Sequence, residues 1–196
     1  MLVVGFGSGP LQANCYLLAG AAGGDCVLVD PGQEATEPVA EALAEHRLTP
    51  VAMLATHGHP DHVGSAAELS AAHGIPLLLH PADAAAFDVA SEPLEAGTHT
   101  LAGLDVTVGH APGHTAGSVV LGLATEEGGR LVLTGDTLFA GSIGRTDGAG
   151  AELEKSLRTL LLPLPEDTVV LPGHGPATTI GQERAANPFL TEMSRA

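Results

Sequence analysis

In the stretch VAMLATHGHPDH, residues 51–62, a short apolar run passes directly into residues of the types that bind metals. Apolar runs of this length that end in turn residues are typical of buried β-strands, and Gly58 and Pro60 favour a bend just beyond residue 55. The side chains here that offer imidazole nitrogen or carboxylate oxygen are His57, His59, Asp61 and His62. The stretch therefore predicts a buried strand that presents candidate metal ligands at its end.

Three later apolar runs end in the same way. They lead into Pro112-Gly113-His114 after residues 104–108, Gly135-Asp136 after residues 131–133, and Pro172-Gly173-His174 after residues 169–171. Strand ends that share one edge of a sheet can converge, so we expect these residues to meet. The combined set has five imidazoles, two carboxylates and no thiolate, which favours zinc, with iron or manganese as alternatives, over a soft metal or an iron–sulfur cluster.

The number of candidate ligands indicates two divalent ions. His57 and His59 are two residues apart, and the bend at Gly58 allows both to reach one ion. If a helix begins after Pro60, the side chains of the next two residues point elsewhere and are free to serve a second ion. One tetrahedral ion cannot use seven ligands, whereas two ions that share Asp136 can.

Composition restricts the classes of partner. The chain has 196 residues, 44% of them hydrophobic, and no linker or low-complexity tract divides it, so we expect a single domain over 1–196. Seven Lys and Arg against 23 Asp and Glu give a net charge of −16, which disfavours nucleic acid and anionic membranes as partners. The start lacks a basic segment before an apolar one, and no run approaches the roughly 18 apolar residues of a membrane span, so we expect a cytoplasmic protein. Cys15 and Cys26 lie in apolar sequence and are expected to be buried, reduced thiols.

Hydrophobic periodicity predicts a layered α/β or α+β fold. Strands are predicted at residues 2–6, 15–18, 27–30, 51–55, 76–79 and 169–171, with four more between 98 and 133. Helices are predicted at about 36–45, 65–72 and 151–161, followed by a C-terminal helical segment. Residues 51–79 thus form a β-α-β unit.

Taken in order, these motifs resemble the metallo-β-lactamase superfamily and, within it, the glyoxalase II-like hydrolases. The resemblance spans almost the whole chain and rests on Asn14-Cys15-Tyr16, Val29-Asp30-Pro31-Gly32, residues 56–62, 112–118, 135–147 and 171–179, and Glu183-Arg184-Ala185-Ala186-Asn187-Pro188-Phe189. It implies a four-layer αβ/βα sandwich with the metals at the edge between two sheets. The chain resembles a short form that lacks the C-terminal helical domain of full-length glyoxalase II enzymes.

The resemblance also implies roles for individual residues. The first metal would be held by His57, His59 and His114, the second by Asp61, His62 and His174, and Asp136 would bridge them. Asp30 would lie behind the ligands and orient them through hydrogen bonds. Arg145 stands where the family contacts a substrate carboxylate, although an ion pair with Asp147 is an equal alternative.

The implied activity is hydrolysis of a thioester of a small intracellular thiol, such as an S-2-hydroxyacyl conjugate, by a metal-bound hydroxide. Two cations can bring the pKa of a shared water towards roughly 7, and Asp61 could shuttle a proton. A thiolate leaves readily, so little help from a general acid is needed. Because the glutathione-binding helical domain is not matched, the acyl group and the carrier thiol stay open.

Two other functions stay open. A persulfide dioxygenase-like enzyme shares these motifs, and a single Fe(II) would then be held by His57, His114 and Asp136 as a facial triad. A non-catalytic metal-binding module is the alternative from another class, although closed structural zinc sites use four ligands rather than seven. An exported β-lactamase and an RNA-processing enzyme fit the sequence less well.

Overall fold

A computed structural model describes residues 1–125, 128–146 and 148–193 of the chain. Within these ranges, two six-stranded sheets form the centre of the molecule. The first sheet contains, in spatial order, β1 (Leu2–Ser8), β2 (Ala13–Ala19), β3 (Asp25–Val29), β4 (Thr49–Leu54), β5 (Leu77–Leu79) and β6 (Glu92–Pro93). The second contains, in spatial order, β14 (Thr178–Thr179), β13 (Val169–Pro172), β10 (Arg130–Gly135), β9 (Val119–Ala124), β8 (Leu104–His110) and β7 (Gly97–Leu101). A separate hairpin pairs β11 (Leu138–Phe139) with β12 (Ser142–Ile143).

Within the described ranges, five helices lie between these strands in the chain and two follow the last strand. They are α1 (Thr36–His46), α2 (Pro60–Val63), α3 (Ala66–His73), α4 (Pro81–Phe87), α5 (Gly150–Ser156), which continues as a π-helical turn (Leu157–Leu161), α6 (Ile180–Ala186) and α7 (Pro188–Met193). No helix within the described ranges combines the length and apolarity needed to cross a bilayer.

Strand alternation places one apolar set between the sheets and another outside. In β2, Tyr16 and Leu18 point towards the second sheet, while Cys15 and Leu17 join the cluster on the outer face of the first sheet. Successive side chains of a strand point to opposite faces, so a strand with two buried faces must carry apolar residues at nearly every position. This is why the central strands read as continuous apolar runs.

Helices cover both outer faces. Val39 of α1 and Leu69 of α3 pack on the first sheet, while Leu153 of α5 and Ile180 of α6 pack on the second. The resulting order of helix, sheet, sheet and helix confirms the expected four-layer αβ/βα sandwich. Cys15 and Cys26 are free and buried within it, as expected.

Most predicted elements are confirmed, including the β-α-β unit and the four strands between residues 98 and 133. The helix predicted at 151–161 is α-helical only to Ser156, after which its last turn widens to π-helical hydrogen bonding. Helix α4 was not predicted, because its short Ala-rich sequence has no amphipathic period. It begins after His80, whose Nδ1 accepts a hydrogen bond from the Ala82 N–H.

Candidate metal centre

The candidate ligands lie where the carboxyl ends of strands from both sheets meet. Strands β8, β10 and β13 run in the same direction within the second sheet, so their ends share one edge. The strand before His57, β4, belongs instead to the first sheet, where it runs parallel to β3. The sequence-based expectation of a single sheet edge is thus replaced by the edge between two sheets, as the family resemblance implied.

Hydrogen bonds from β2 join the two sheets at this edge. The Asn14 N–H donates to the Gly173 carbonyl over 2.7 Å, and both the Asn14 amide and the buried Tyr16 hydroxyl donate to the Pro172 carbonyl. Asn14 therefore fixes the position of the loop that carries His174 relative to the first sheet.

Three imidazole nitrogens converge in a first group. His59 Nδ1 lies 3.0 Å from His57 Nε2 and 3.0 Å from His114 Nε2. Nitrogen ligands at 2.0–2.1 Å from a tetrahedral zinc ion lie about 3.3 Å from one another, which is close to the observed spacing. The three side chains thus form a set of the size that one ion requires.

A second group forms on the other side of the cleft. Asp61 Oδ2 lies 3.2 Å from His174 Nε2 and 3.6 Å from His62 Nε2, and the two imidazole nitrogens are 3.3 Å apart. Asp61 and His62 occupy the short helix α2, which begins at Pro60 and turns their side chains away from His59. This is the change of direction that the sequence predicted.

Asp136 lies between the two groups. Its Oδ2 is 3.4 Å from His114 Nε2 and 3.7 Å from His174 Nε2, while its Oδ1 is 3.4 Å from His62 Nε2. The Oδ1 atom is buried and has no hydrogen-bond partner among the described residues. A buried carboxylate oxygen without a partner carries a large desolvation penalty, which a coordinated cation would remove.

The outer ring nitrogens of four histidines donate to protein oxygens. His57 Nδ1 faces Thr56 Oγ1, His62 Nδ1 faces Asp30 Oδ2, His114 Nδ1 faces the Arg145 carbonyl, and His174 Nδ1 faces the Leu11 carbonyl, over 2.9–3.2 Å. A neutral ring that donates through its outer nitrogen has a lone pair on the inner nitrogen. The protein therefore orients these lone pairs towards the same small space, which is the arrangement that metal-ligating histidines adopt.

Asp30 lies behind the candidate ligand His62, where the family resemblance implied that it would lie. It is buried, and one oxygen accepts from the Thr56 N–H while the other accepts from the Thr56 hydroxyl and from His62. Its backbone has a φ of 52°, in the left-handed region that Asp tolerates better than most residues. One carboxylate thus holds both Thr56, which precedes His57, and His62.

The pKa values of His57 and His62 are shifted in opposite directions. Burial lowers the pKa of His57 well below its ordinary value, and the neighbouring imidazoles add to the effect. Burial also acts to lower the pKa of His62, but Asp30, Asp136 and Asp61 outweigh it and raise the pKa to about 9. The carboxylates thus require positive charge in this cluster at neutral pH, which a divalent cation among neutral imidazoles provides.

An open cleft of about 510 Å³ gives access to these ligands. Its wall includes members of both groups together with Leu11, Phe139 and Arg145. Arg145 is exposed and also lines an adjoining cavity of about 590 Å³ beside Phe189. Among the described residues Arg145 has no ion-pair partner, and its expected alternative partner Asp147 lies outside them.

Two buried carboxylates, Asp83 and Glu183, had no individual role predicted from the sequence, although Glu183 belongs to a motif of the family resemblance. Asp83 of α4 is bonded to both ligand loops of the first group. Glu183 of α6 accepts from the Gly141 N–H and from Asn187, and the Asn187 amide donates to the Ser142 carbonyl. These contacts fix the start of the loop that leads to Arg145, and they give a physical role to the Glu183–Asn187 motif.

Comparison with known proteins identifies the family of this chain and two of its relatives. The family model described as "Metallo-beta-lactamase superfamily" matches residues 8–174. The chain is 37% identical to a probable metallo-hydrolase, YqgX, of Bacillus subtilis, over 95% of this chain and 96% of that protein. It is 34% identical to the hydroxyacylglutathione hydrolase GloC of Haemophilus influenzae, over 93% and 95% of the two chains.

Three solved structures with the same fold are 27–40% identical to this chain in sequence. BLEG-1, a B3 metallo-β-lactamase, superposes with a TM-score of 0.86 at 34% identity, over 97% of this chain and 100% of that one. TTHA1623 in a di-iron-bound form gives 0.80 at 40% identity, also over 97% and 100%. ETHE1 from Myxococcus xanthus gives 0.84 at 27% identity, over 99% and 90%.

A substitution at Gly173 tests how tightly the backbone packs against Asp136 and His62. A Cβ at this position would lie 2.3 Å from Asp136 Oδ1 and 2.7 Å from His62 Cε1. Gly173→Ala should displace both side chains and weaken zinc binding by about tenfold or more in a chelator competition. The control is Gly20→Ala, where a Cβ meets no atom within 4 Å. Unchanged zinc affinity in Gly173→Ala would contradict the packing described here.

Proposed function

Because this chain belongs to the metallo-β-lactamase superfamily, we propose that it is a dinuclear metal-dependent hydrolase that cleaves a thioester of a small thiol. The reacting bond would lie in the cleft lined by both ligand groups. An S-2-hydroxyacyl conjugate is the substrate class that we favour.

The proposed ligand sets follow the two geometric groups. His57, His59 and His114 would hold one cation, Asp61, His62 and His174 the other, and Asp136 would contact both. Zinc suits the nitrogen-rich set, and iron or manganese are the alternatives. The di-iron form of TTHA1623 supports a site for two ions in a protein of this fold.

The observation that carries the proposal is the complete second group. Asp61 and His174 lie within 3.2 Å of each other and beside His62, and a single-metal enzyme has no use for them. The partnerless Asp136 Oδ1 lies 3.4 Å from His62 of this same group, which supports a carboxylate that would contact cations on both sides.

In thioester cleavage, the cations and the protein side chains would perform different parts of the reaction. When bound, two divalent cations polarise a carbonyl and make a neighbouring water more acidic. The protein's part is to hold the ligand lone pairs in place, to position the substrate through Arg145, and to provide Asp61 as a carboxylate that can accept a proton at the edge of the cleft. A thiolate is a stable leaving group, which fits a cleft without a dedicated acid among its described lining residues.

The similarity to GloC supports this substrate class, because that protein is named a hydroxyacylglutathione hydrolase. The carrier thiol of the present chain is a separate question. Arg145 is the arginine among the described residues that line the cleft. Its guanidinium can pair with a carboxylate through two parallel hydrogen bonds.

A second candidate is a mononuclear Fe(II) persulfide dioxygenase-like enzyme. His57 and His114 both face the space beside Asp136, so these three residues could serve as its facial triad. In that enzyme Asp61 and His174 would have no role in metal binding. The two candidates therefore differ in what the second group does.

His174→Ala separates the two candidates. In the hydrolase, the variant should lose one ion of two and cut thioester hydrolysis by roughly 100-fold or more, because the remaining cation cannot activate water and carbonyl together. Metal content, thiol release and persulfide-dependent O₂ uptake are measured on variant and parent, with a chromogenic cephalosporin as a comparison substrate. Persulfide-dependent O₂ uptake by both proteins, without thioester cleavage by either, would replace the hydrolase with the dioxygenase.

Arg145→Ala tests substrate recognition. Loss of a charge-assisted, two-point contact should raise KM roughly tenfold to 100-fold and change kcat much less, and Arg145→Lys should recover only part of the loss. Steady-state kinetics on a thioester with a free carboxylate measure this, and Arg130→Ala, at an exposed arginine on β10, is the matched control. If Arg145→Ala instead lowers the midpoint of urea unfolding and leaves KM unchanged, the arginine is structural.

A further inference from the structure

Asp83 has a fully buried side chain, with a relative exposure of 0%, although it is neither a candidate ligand nor part of any motif in the sequence. Carboxylates are almost never fully buried unless they are paired or hydrogen-bonded. Asp83 lies on α4, a short helix between β5 and β6 in the chain. We therefore expect its carboxylate oxygens to have specific hydrogen-bond donors.

Both oxygens of Asp83 accept hydrogen bonds from the loops that carry the first group of histidines. Oδ2 accepts from the Gly58 N–H over 2.8 Å and from the Thr115 hydroxyl over 2.7 Å. Oδ1 accepts from the Gly117 N–H over 2.6 Å. Hydrogen bonds to an ionised carboxylate are shorter and stronger than those between neutral groups.

The donors are immediate neighbours of the ligands. Gly58 separates His57 from His59, and Thr115 follows His114 directly. A single carboxylate thus ties the backbone between two ligands to the loop that carries the third. Because 25 to 34 residues separate Asp83 from its backbone donors, no local interaction could set this spacing.

Close packing reinforces the hydrogen bonds. A Cβ on Gly117 would lie 2.6 Å from Asp83 Oδ1, and one on Gly58 would lie 2.5 Å from Phe87 of the same helix. Both loops therefore approach α4 as closely as glycine allows. Small changes in the length or charge of the Asp83 side chain must move the loops.

We propose that Asp83 is a positioning residue that sets the distance between His57, His59 and His114, and through it the affinity and geometry of the cation that they hold. This inference rests on the proposed ligand set. It concerns metal binding and not the reaction, so it can fail while the hydrolase proposal stands.

The test is a Co²⁺ titration of chelator-treated protein, followed by visible absorption, for wild type and Asp83→Asn. The amide keeps the shape, but its NH₂ group must face one of the two backbone N–H donors, so one loop loses its acceptor. We expect the affinity for one Co²⁺ to fall about 10- to 100-fold and the visible spectrum of the bound ion to change. Asp88→Asn is the matched control, because Asp88 is exposed at the end of the same helix in a left-handed conformation that Asn accepts.

A purely structural role predicts a different result. Asp83→Asn would then unfold at lower urea concentration but bind Co²⁺ with wild-type affinity and spectrum, and that outcome would overturn the proposal. If Asp83→Asn does not fold, the pair Thr115→Val and Thr115→Ser decides. Thr115→Val removes one donor and should weaken Co²⁺ binding severalfold, Thr115→Ser should restore it, and equal wild-type binding by both would overturn the proposal.

Discussion

The structure depends on one electrostatic constraint, which is that five imidazoles and two carboxylates converge with neighbouring nitrogen and oxygen atoms 3.0–3.7 Å apart. The outer nitrogens of four of these rings are occupied by protein acceptors, so their lone pairs point inward beside the partnerless Asp136 Oδ1. Such an arrangement is repulsive without positive charge at its centre. The raised pKa of His62 has the same origin, because the surrounding carboxylates favour a positive charge on this ring.

The fold serves this constraint by bringing loops from both sheets to one edge. Apolar strands end abruptly, and glycines then let the chain turn where a larger residue would collide, as at Gly173 against Asp136. Buried polar groups fix the loops from behind. Asp30 connects Thr56 to His62, while Asn14 connects the first sheet to the loop of His174. Ligand geometry is therefore held by long-range hydrogen bonds rather than by the loops themselves.

The sequence predicted the layers and the ligand candidates for clear physical reasons. Strands buried on both faces must be apolar throughout, and residues such as His114 and Asp136 stand out directly after such runs. The two-sheet origin of the centre followed only from the family resemblance, since apolar runs do not say which sheet they join.

What the sequence could not predict arises from contacts between distant residues. Asp83 is a single acidic residue in an acidic chain, and its burial depends on backbone donors 25 and 34 residues away. Glu183 belongs to a motif of the family resemblance, but its hydrogen bond from the Gly141 N–H spans 42 residues. The short helix α4 lacks a period that would mark it. The change to π-helical bonding after Ser156 leaves no trace in a run of leucines that fits an α-helix equally well.

The proposed function depends on two cations that this edge would hold and that Asp136 would bridge. A crystal structure of protein purified without added metal, with anomalous-difference maps recorded across the zinc and iron absorption edges, tests it most directly. Two peaks about 3.5–4 Å apart are expected, one beside each group of ligands, with Asp136 between them. A single iron peak held by His57, His114 and Asp136, with Asp61 and His174 turned away from it, would rule out the dinuclear site.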